Sequence, residues 1–494
     1  MTTKSILFKE CSIEDRIKSI INDDKSSRKK QRAKISERYY EAEHDIKSYR
    51  VFYFNAEGDL VEDTYRSNVK ISHPFYTENV DQETDYILSD FSISSTDDEL
   101  DKILKKYFDS NFQTELHDVV EDTIKLGWSY MYAYLNKDFR TSFKSACGLN
   151  IVEVYAEDSD ELIYMIYYYV DRIEKNGNVI TRIEVHDKEQ TFYYVMRGNK
   201  KIEKDNKVKI NPRPHKVWSE VENGVRKTYG KGFGYIPFFR LDNNKKQISA
   251  LKPIKALIDD YDLMSCGLSN NLQDVQEAIY VVKGYEGTDL TELQQNIKTK
   301  KILGLPEGES NGLDIKTIDV PYQARQTKLD LDEKNIYRFG MSFNASQTGD
   351  GNITNIVLKA RYTLLDLKCN KLAPRIKALL EEIVQIVLDE INEENKTDYD
   401  LNDVEICLDR EIPTNERDNA EIDNTLATMK QTEINTLLNI ANYIPEETII
   451  KAICEILDID YSEVENEVKE VINEKKIDLN SASEKLNNDN TAIE

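Results

Sequence analysis

The sequence predicts a mainly helical α+β protein with one β-rich region, and three observations carry that reading. Between residues 150 and 241, short runs of alternating aromatic and β-branched residues are punctuated by turn dipeptides such as Asn176-Gly177. From Ile254 onward, apolar residues recur at steps of three and four, the period of one helix face. A further helical pattern runs from Ile356 to Asn392. With 494 residues, 39% hydrophobic and 32% charged, the chain can bury real cores under a polar surface. At about 150 residues per domain it has room for several.

Residues 1–48 read as charged helix. The basic run from Arg28 to Arg32 is expected on a solvated face, because Glu and Asp soon dilute it. Glu41, His44 and Asp45 are expected to be solvated too, since no second cluster of metal ligands accompanies them. YRVFYFNAEGDLVEDTY has the grammar of a hairpin around Glu57-Gly58. Helical periodicity returns over 98–126, and WSYMYAYL follows as an alternating aromatic strand. In the β-rich stretch, LIYMIYYYVDRIEKNGNVITRIEV, TFYYVMRGNKK and KVWSEVENGVRKTYG each predict paired strands. Their tyrosines suit half-buried sheet faces better than a carbohydrate platform.

Ile254, Leu257, Tyr261, Met264, Leu268, Leu272, Val275 and Ile279 then form one apolar stripe on a helix of about seven turns. Pro253 suits its first turn. Residues 279–321 read as strand, short helix and two strands. A second long helix is expected over 324–343, with a narrow stripe of Leu329, Ile336, Phe339 and Phe343. The polar stretch NASQTGDGNITN, residues 344–355, joins it to the long helix that follows. Two glycines invite comparison with a phosphate-binding loop, but no Lys-Ser/Thr follows and a helix, not a strand, precedes it. Pro374 should kink or split the long helix. Beyond it, DVEICLDREIP predicts a strand, and helices are expected over 416–431, 433–443, 446–457 and 462–475 before a polar tail suited to disorder.

Composition removes several function classes. A formal net charge of −25 opposes a tight grip on nucleic acid, which normally needs a basic footprint. It also suits a surface past which DNA slides without sticking. Six cysteines without a C-x-x-C pair give neither a zinc site nor a disulfide framework. There is no Walker A sequence and no Asp/Glu/His cluster fit for a two-metal nuclease, so no enzyme, cofactor or metal is expected. No apolar run approaches the ~20 residues that span a bilayer, and MTTKSILFKECSIEDR lacks a signal-peptide core. A soluble protein made in a cytoplasm, with no membrane contact, is the expectation.

Taken in order, the segments YYEAEHDI, NVKISHPFYTENVDQETDYILS, FQTELHDVVEDTIKLGWSYMYAYL and GYIPFFRLDNNKKQISALKPIKALIDDYDLMSCGLSNNLQDVQEAIYVVKGY resemble the portal proteins of tailed bacteriophages. The branch is the one common in phages of low-GC Gram-positive hosts. Weaker echoes run through FGMSFNASQTGDGNITNIVLKARYTLLDLKCNK and the Ile-Pro-Glu-Glu-Thr helix. Asp85–Asp90 lacks a glycine common in the family, and Leu126-Gly127-Trp128 is less polar than usual, which bears on local turns and not on the fold.

The resemblance implies a portal fold with wing (1–250), first stem helix (251–276), clip (277–323), second stem helix (324–343), tunnel loop (344–355), long kinked wing helix (356–395), crown (396–475) and a disordered tail (476–494). It implies a homo-oligomeric ring, usually of twelve, through which double-stranded DNA is packaged and ejected with weak, non-specific contact. Asn344, Ser346, Gln347, Thr348, Gly349, Asp350, Gly351, Asn352 and Thr354 would face the tunnel. The stripe from Ile254 to Val275 would pack the stem. Lys298, Lys300 and Lys301 would offer a basic docking surface in the clip. Implied partners are the terminase large subunit, a head-completion or adaptor protein, a scaffold and the major capsid protein. The location would be the portal vertex of the virion, reached from the host cytoplasm. The competing readings are a packaging ATPase or nuclease, and a tail, baseplate or adaptor component of the virion without a DNA channel.

Overall fold

The structure is a computed structural model. It describes residues 12–55, 58–64, 66–156, 158–175, 177–198, 200–222, 225–275, 279–283, 302–305, 313–316, 322–344, 355–410, 416–457, 459 and 461. About half of these are helix and about a quarter strand, a mixed α/β fold in which helix predominates. The chain divides into two compact units, residues 1–349 with 361–411, and residues 350–360 with 412–494.

The first unit opens with α1 (Ile13–Ser26) and α2 (Arg28–Tyr40), capped by the hydroxyls of Ser12 and Ser27. In the basic run at the start of α2, Arg28, Gln31 and Arg32 are exposed as expected, but Lys29 and Lys30 are not. Lys30 is buried, donates to the carbonyls of Leu149 and Ile151 at 2.8 Å each, and pairs with Asp24. The Lys29 ammonium lies 3.7 Å from the Trp128 ring centroid. Their long stems reach surface that local sequence does not reveal.

The expected hairpin forms from β1 (Phe52–Phe54) and β2 (Leu60–Glu62). An extended arm, residues 67–73, leads into α3 (Phe75–Ile87), β3 (Asp90–Ser95), α4 (Asp98–Tyr107) and α5 (Ser110–Leu126). The predicted single helical stretch breaks because Asp109 caps α5, accepting from the backbone of Asn111 and Phe112. Gly127 ends α5 in the left-handed region, and a Cβ there would fall 2.6 Å from the Gln247 carbonyl oxygen.

Strand β4 (Trp128–Leu135) pairs with β5 (Thr141–Ala146). It does not alternate as expected: Trp128, Ser129, Tyr130 and Met131 are all buried. A five-strand meander follows: β6 (Ile151–Tyr155), β7 (Leu162–Ile173), β8 (Val179–His186), β9 (Gln190–Arg197) and β10 (Ile202–Lys204). The short β11 (Arg213–Pro214) also pairs with β9. Ile17 and Ile21 of α1 pack against Val152, Ile166, Tyr168, Ile183 and Tyr194. The hairpin of β12 (Lys216–Glu222) and β13 (Val225–Lys231) stands as its own sheet, and β14 (Phe238–Asp242) completes the sheet of β4.

Next come α6 (Lys255–Val275), then a small sheet in which β15 (Ile279–Lys283) lies between β16 (Ile302–Leu305), parallel to it, and β17 (Leu313–Lys316), antiparallel. Ile279 is therefore a strand residue, not the end of the helical stripe. α7 (Tyr322–Gly340) returns the chain. The long helix α8 (Asn355–Asn395) runs through Pro374 as a single 41-residue element and is not split. Buried Leu372, Ile376, Leu379, Leu380 and Ile383 hold it on both sides of the proline, so tertiary packing overrides the missing N–H. Strand β18 (Val404–Asp409) pairs antiparallel with β3.

In the second unit, α9 (Glu416–Asn439) is one helix where two were expected, followed by a short turn and α10 (Glu446–Ile456). The expected helix over 462–475 and the tail lie outside the described residues.

Candidate functional site

The α6–α7 pair and the chain around it gather most of the sequence-predicted site that the structure describes. In α6 the buried row is Ile254, Ile258, Asp262 and Cys266, one residue per turn. The predicted stripe sits elsewhere: only Ile254 belongs to the buried row. Leu257, Tyr261, Met264 and Leu268 are half-buried, and Leu272 is 51% exposed. Val275 ends the helix.

The polar row has a partner. Asp262, Cys266, Asn270 and Asp274 accept from the backbone N–H of His73, Ile71, Val69 and Ser67, at 3.0, 3.2, 2.6 and 3.2 Å. Two residues of extended chain span about 6.6 Å, and one four-residue step of helix about 6 Å. The arm and helix therefore stay in step over three successive four-residue steps, running antiparallel. Among the described residues the arm has no strand neighbour, and helix side chains satisfy its part-buried N–H groups.

Asp262 also receives two imidazoles, His44 Nδ1 at 2.6 Å and His73 Nδ1 at 2.7 Å. Burial pushes its carboxyl up, but the hydrogen bonds from His44 and His73 outweigh that and hold it below the ordinary carboxylate range. His44 is thus buried, contrary to the solvated reading, whereas Glu41 and Asp45 are exposed as expected. Asp45 pairs with Lys255 at 2.7 Å. Among the described residues no group of three His, Cys, Asp or Glu side chains could hold a metal.

α7 packs on α6 through charge. Lys328 bridges Asp260 at 2.6 Å and the buried Asp332. Of its predicted stripe, Leu329 and Ile336 are buried and Phe343 is half-buried beyond the helix end, whereas Phe339 is 51% exposed. The inward row is Leu329, Asp332, Ile336 and Gly340, one turn apart or nearly so.

The end of α7 and the part of α8 from Tyr362 onward are both tied to α3. On the α7 side, Asn79 donates to the Gly340 carbonyl at 3.1 Å, and the Gln82 amide exchanges two hydrogen bonds with the Phe343 backbone at 2.9 and 3.0 Å. A Cβ on Gly340 would lie 2.5 Å from Asn79 Nδ2, so glycine permits this approach. On the α8 side, Lys368 donates to Asn79 Oδ1 and pairs with buried Glu83, both at 2.8 Å. Tyr362 bridges the two sides, stacking on Phe343 with centroids 5.1 Å apart. Asn344 is buried and donates to Glu333 at 2.8 Å. Ser346, Gln347, Thr348, Gly349, Asp350, Gly351, Asn352 and Thr354 lie outside the described residues, as do Lys298, Lys300 and Lys301.

Sequence reasoning passed over Asn79, Gln82 and Glu83, and over the arm. The available signal was polar spacing: Asn79 and Glu83 are four apart, and 262, 266, 270 and 274 repeat every four residues.

The family profile "Phage portal protein, SPP1 Gp6-like" matches residues 19–470. The portal protein of Bacillus phage SPP1 is 24% identical over 366 residues, covering 73% of this chain and 70% of that one. The portal protein of Clostridium phage phiCD119 is 23% identical over 389 residues, covering 76% and 82%. A solved structure described as "Neck of native GTA particle computed with C12 symmetry" aligns with 77% of this chain and 89% of its own, at 12% identity and a TM-score of 0.37, too slight a likeness to argue from. The match over most of the chain makes it a member of the phage portal protein family, structural components of the virion that connect head and tail.

Proposed function

We propose that twelve copies of this chain form a ring at one capsid vertex, a channel through which double-stranded DNA is packaged and later ejected. The observation that carries the reading is the α6–α7 pair flanking the small β15–β17 sheet, in a chain of portal family membership. Long helices with apolar positions left half-covered suit packing against a neighbouring copy. In this reading α6 and α7 are the stem and residues 277–323 the clip. The β-rich region with α8 is the wing, and the helices after residue 396 are the crown. The clip, with Lys298, Lys300 and Lys301, docks the terminase large subunit and then a head-completion protein through acidic partner surfaces. Scaffold and major capsid protein meet the ring during assembly.

Residues 344–355 are then the tunnel loop, joining α7 to α8 and contributing little to the fold. Asn, Gln, Ser and Thr touch phosphate oxygens without the lasting grip of lysine. The ring itself neither hydrolyses ATP nor binds DNA tightly, in keeping with the −25 charge.

Mass photometry of the purified chain tests the ring. From 57.4 kDa subunits it should give a species of roughly 690 kDa with an axial hole in class averages. Monomer alone across micromolar concentrations would overturn it. Replacing residues 347–352 by a short glycine linker should leave rings intact and lower DNA packaging or retention. Packaging at the wild-type rate would reduce the loop to a connector.

A further inference from the structure

We infer that the β1–β2 hairpin is a clasp that docks on a second copy of this chain, an inference resting on the ring reading. The hairpin is small: three residue pairs join its strands, and among the described residues each strand pairs only with the other. An isolated two-stranded hairpin is at best marginal in water. This one spends its largest side chains on solvent. Phe52 is 51% exposed, Phe54 69% and Leu60 60%. The register places Phe54 opposite Leu60 and Phe52 opposite Glu62, so all three apolar groups share one face.

Its position is set. Upstream, His44 is buried against Asp262 of α6. Downstream, the arm from Ser67 to His73 is hydrogen-bonded along the same helix. At the base, Tyr49 and Val51 line a cleft of about 180 Å³ with Leu263 of α6. Tyr49 and Leu263 are themselves 44% and 42% exposed. The hairpin face, Tyr49 and Leu263 therefore offer apolar surface on the order of 400 Å². That matches or exceeds the few hundred Å² that monomers usually leave bare. It is also about half of the ~800 Å² each partner contributes to a standard interface.

A second copy is the occupant that fits. The hairpin rides on α6, the helix that a ring places beside its neighbours. A ring of more than two copies closes through contacts between unlike patches. A projecting apolar hairpin held at both feet supplies one of the two.

The test uses the full chain. Phe52→Ser, Phe54→Ser and Leu60→Ser combined should leave the far-UV circular dichroism and the melting temperature of the single chain near wild type, since these side chains face solvent. Ring formation at fixed micromolar concentration should fall at least about tenfold. Phe54→Trp provides a readout independent of assembly yield. Its emission should shift to shorter wavelength, and acrylamide quenching should drop, when rings form, and both should reverse on dilution to monomer. Wild-type rings together with unimpaired assembly of the triple variant, or a tryptophan equally quenchable in ring and monomer, overturn the clasp and leave the ring reading standing. A wild-type chain that never exceeds monomer mass overturns both.

Discussion

The β7–β8–β9 sheet and helix α6 bury their inner faces by opposite means. In the sheet, backbone pairs with backbone, so what meets α1 is apolar: Ile166, Tyr168, Ile183 and Tyr194 against Ile17 and Ile21. Along α6 the neighbour is a lone extended arm whose N–H groups need acceptors, and the helix provides them from its own side chains. The buried row of α6 accordingly turns polar at Asp262, while hydrophobic residues such as Leu272 stay outside. Hydrophobic periodicity finds the buried face where backbone groups are satisfied among themselves. Where side chains must satisfy a neighbour's backbone, it points to a face that the single chain leaves half-covered.

The sharpest way to break this contrast is Asp262→Ala. It removes the acceptor for two imidazoles and one backbone N–H in a site with no exposure. A loss on the order of 4 kcal/mol is expected in urea denaturation of the monomer. Asp262→Asn should recover part of it, since an amide oxygen still accepts. A loss below about 1 kcal/mol would mean that the arm is held by packing and that the polar row is incidental.

In the sheet the matching substitution is Ile183→Ala, at a fully buried position facing α1. A cavity there should cost about 3 kcal/mol. Should it prove cheaper than removal of the Asn270 side chain, whose amide oxygen accepts the Val69 N–H, the contrast would be inverted.

These two regions also explain what could be read in advance. Strands and turns from residue 150 to 241 were legible because period two and the turn dipeptides are local signals. The ends of α6 and α7 were legible to within a few residues for the same reason. The burial of Lys30 was not, because its acceptors, the carbonyls of Leu149 and Ile151, lie more than a hundred positions away. Hydrophobicity puts Phe339 in the apolar stripe of α7, whereas Asp332 takes the inward place because Lys328 can neutralise it there. At the end of α7, sequence does not reveal the anchor on Asn79 and Gln82, since polar residues on a helix read locally as surface.

Acid titration separates the two regions further. His215, beside the sheet, stacks on Phe233 at 4.9 Å and its Nδ1 accepts the Phe233 N–H at 3.3 Å, an arrangement that needs the neutral ring. Burial, with help from the nearby His186, pushes it down to about 4. The unfolded chain titrates this group near 6.5, so between those values it binds more protons than the folded one. The stabilisation is complete above about pH 6.5 and fades as the pH falls toward 4. His215→Gln should flatten that limb of a stability–pH curve. Asp262 acts lower: its carboxyl is depressed, so its contribution persists down to its unfolded value near 3.8 and is lost below it. A limb between 4 and 6.5 that persists unchanged in His215→Gln would assign it to other groups.

The smallest effect on the monomer should come from the hydrophobic residue that periodicity placed in the stripe and the fold leaves out. Leu272 is 51% exposed near the end of α6, so Leu272→Ser should change the stability of the single chain by less than about 0.5 kcal/mol. Its neighbour two positions on, Asp274, holds the Ser67 N–H, so the helix end is anchored independently of the leucine. If the half-covered positions of α6 serve the ring, the same substitution should weaken assembly by about tenfold or more while the monomer melts normally. That split, unchanged fold with impaired assembly, is what an apolar stripe reserved for a neighbour predicts. A stripe that belongs to the monomer's own core predicts the reverse, with melting lowered and assembly lost only in proportion. Thermal unfolding of the monomer and mass photometry of the ring, run on one preparation, decide between them.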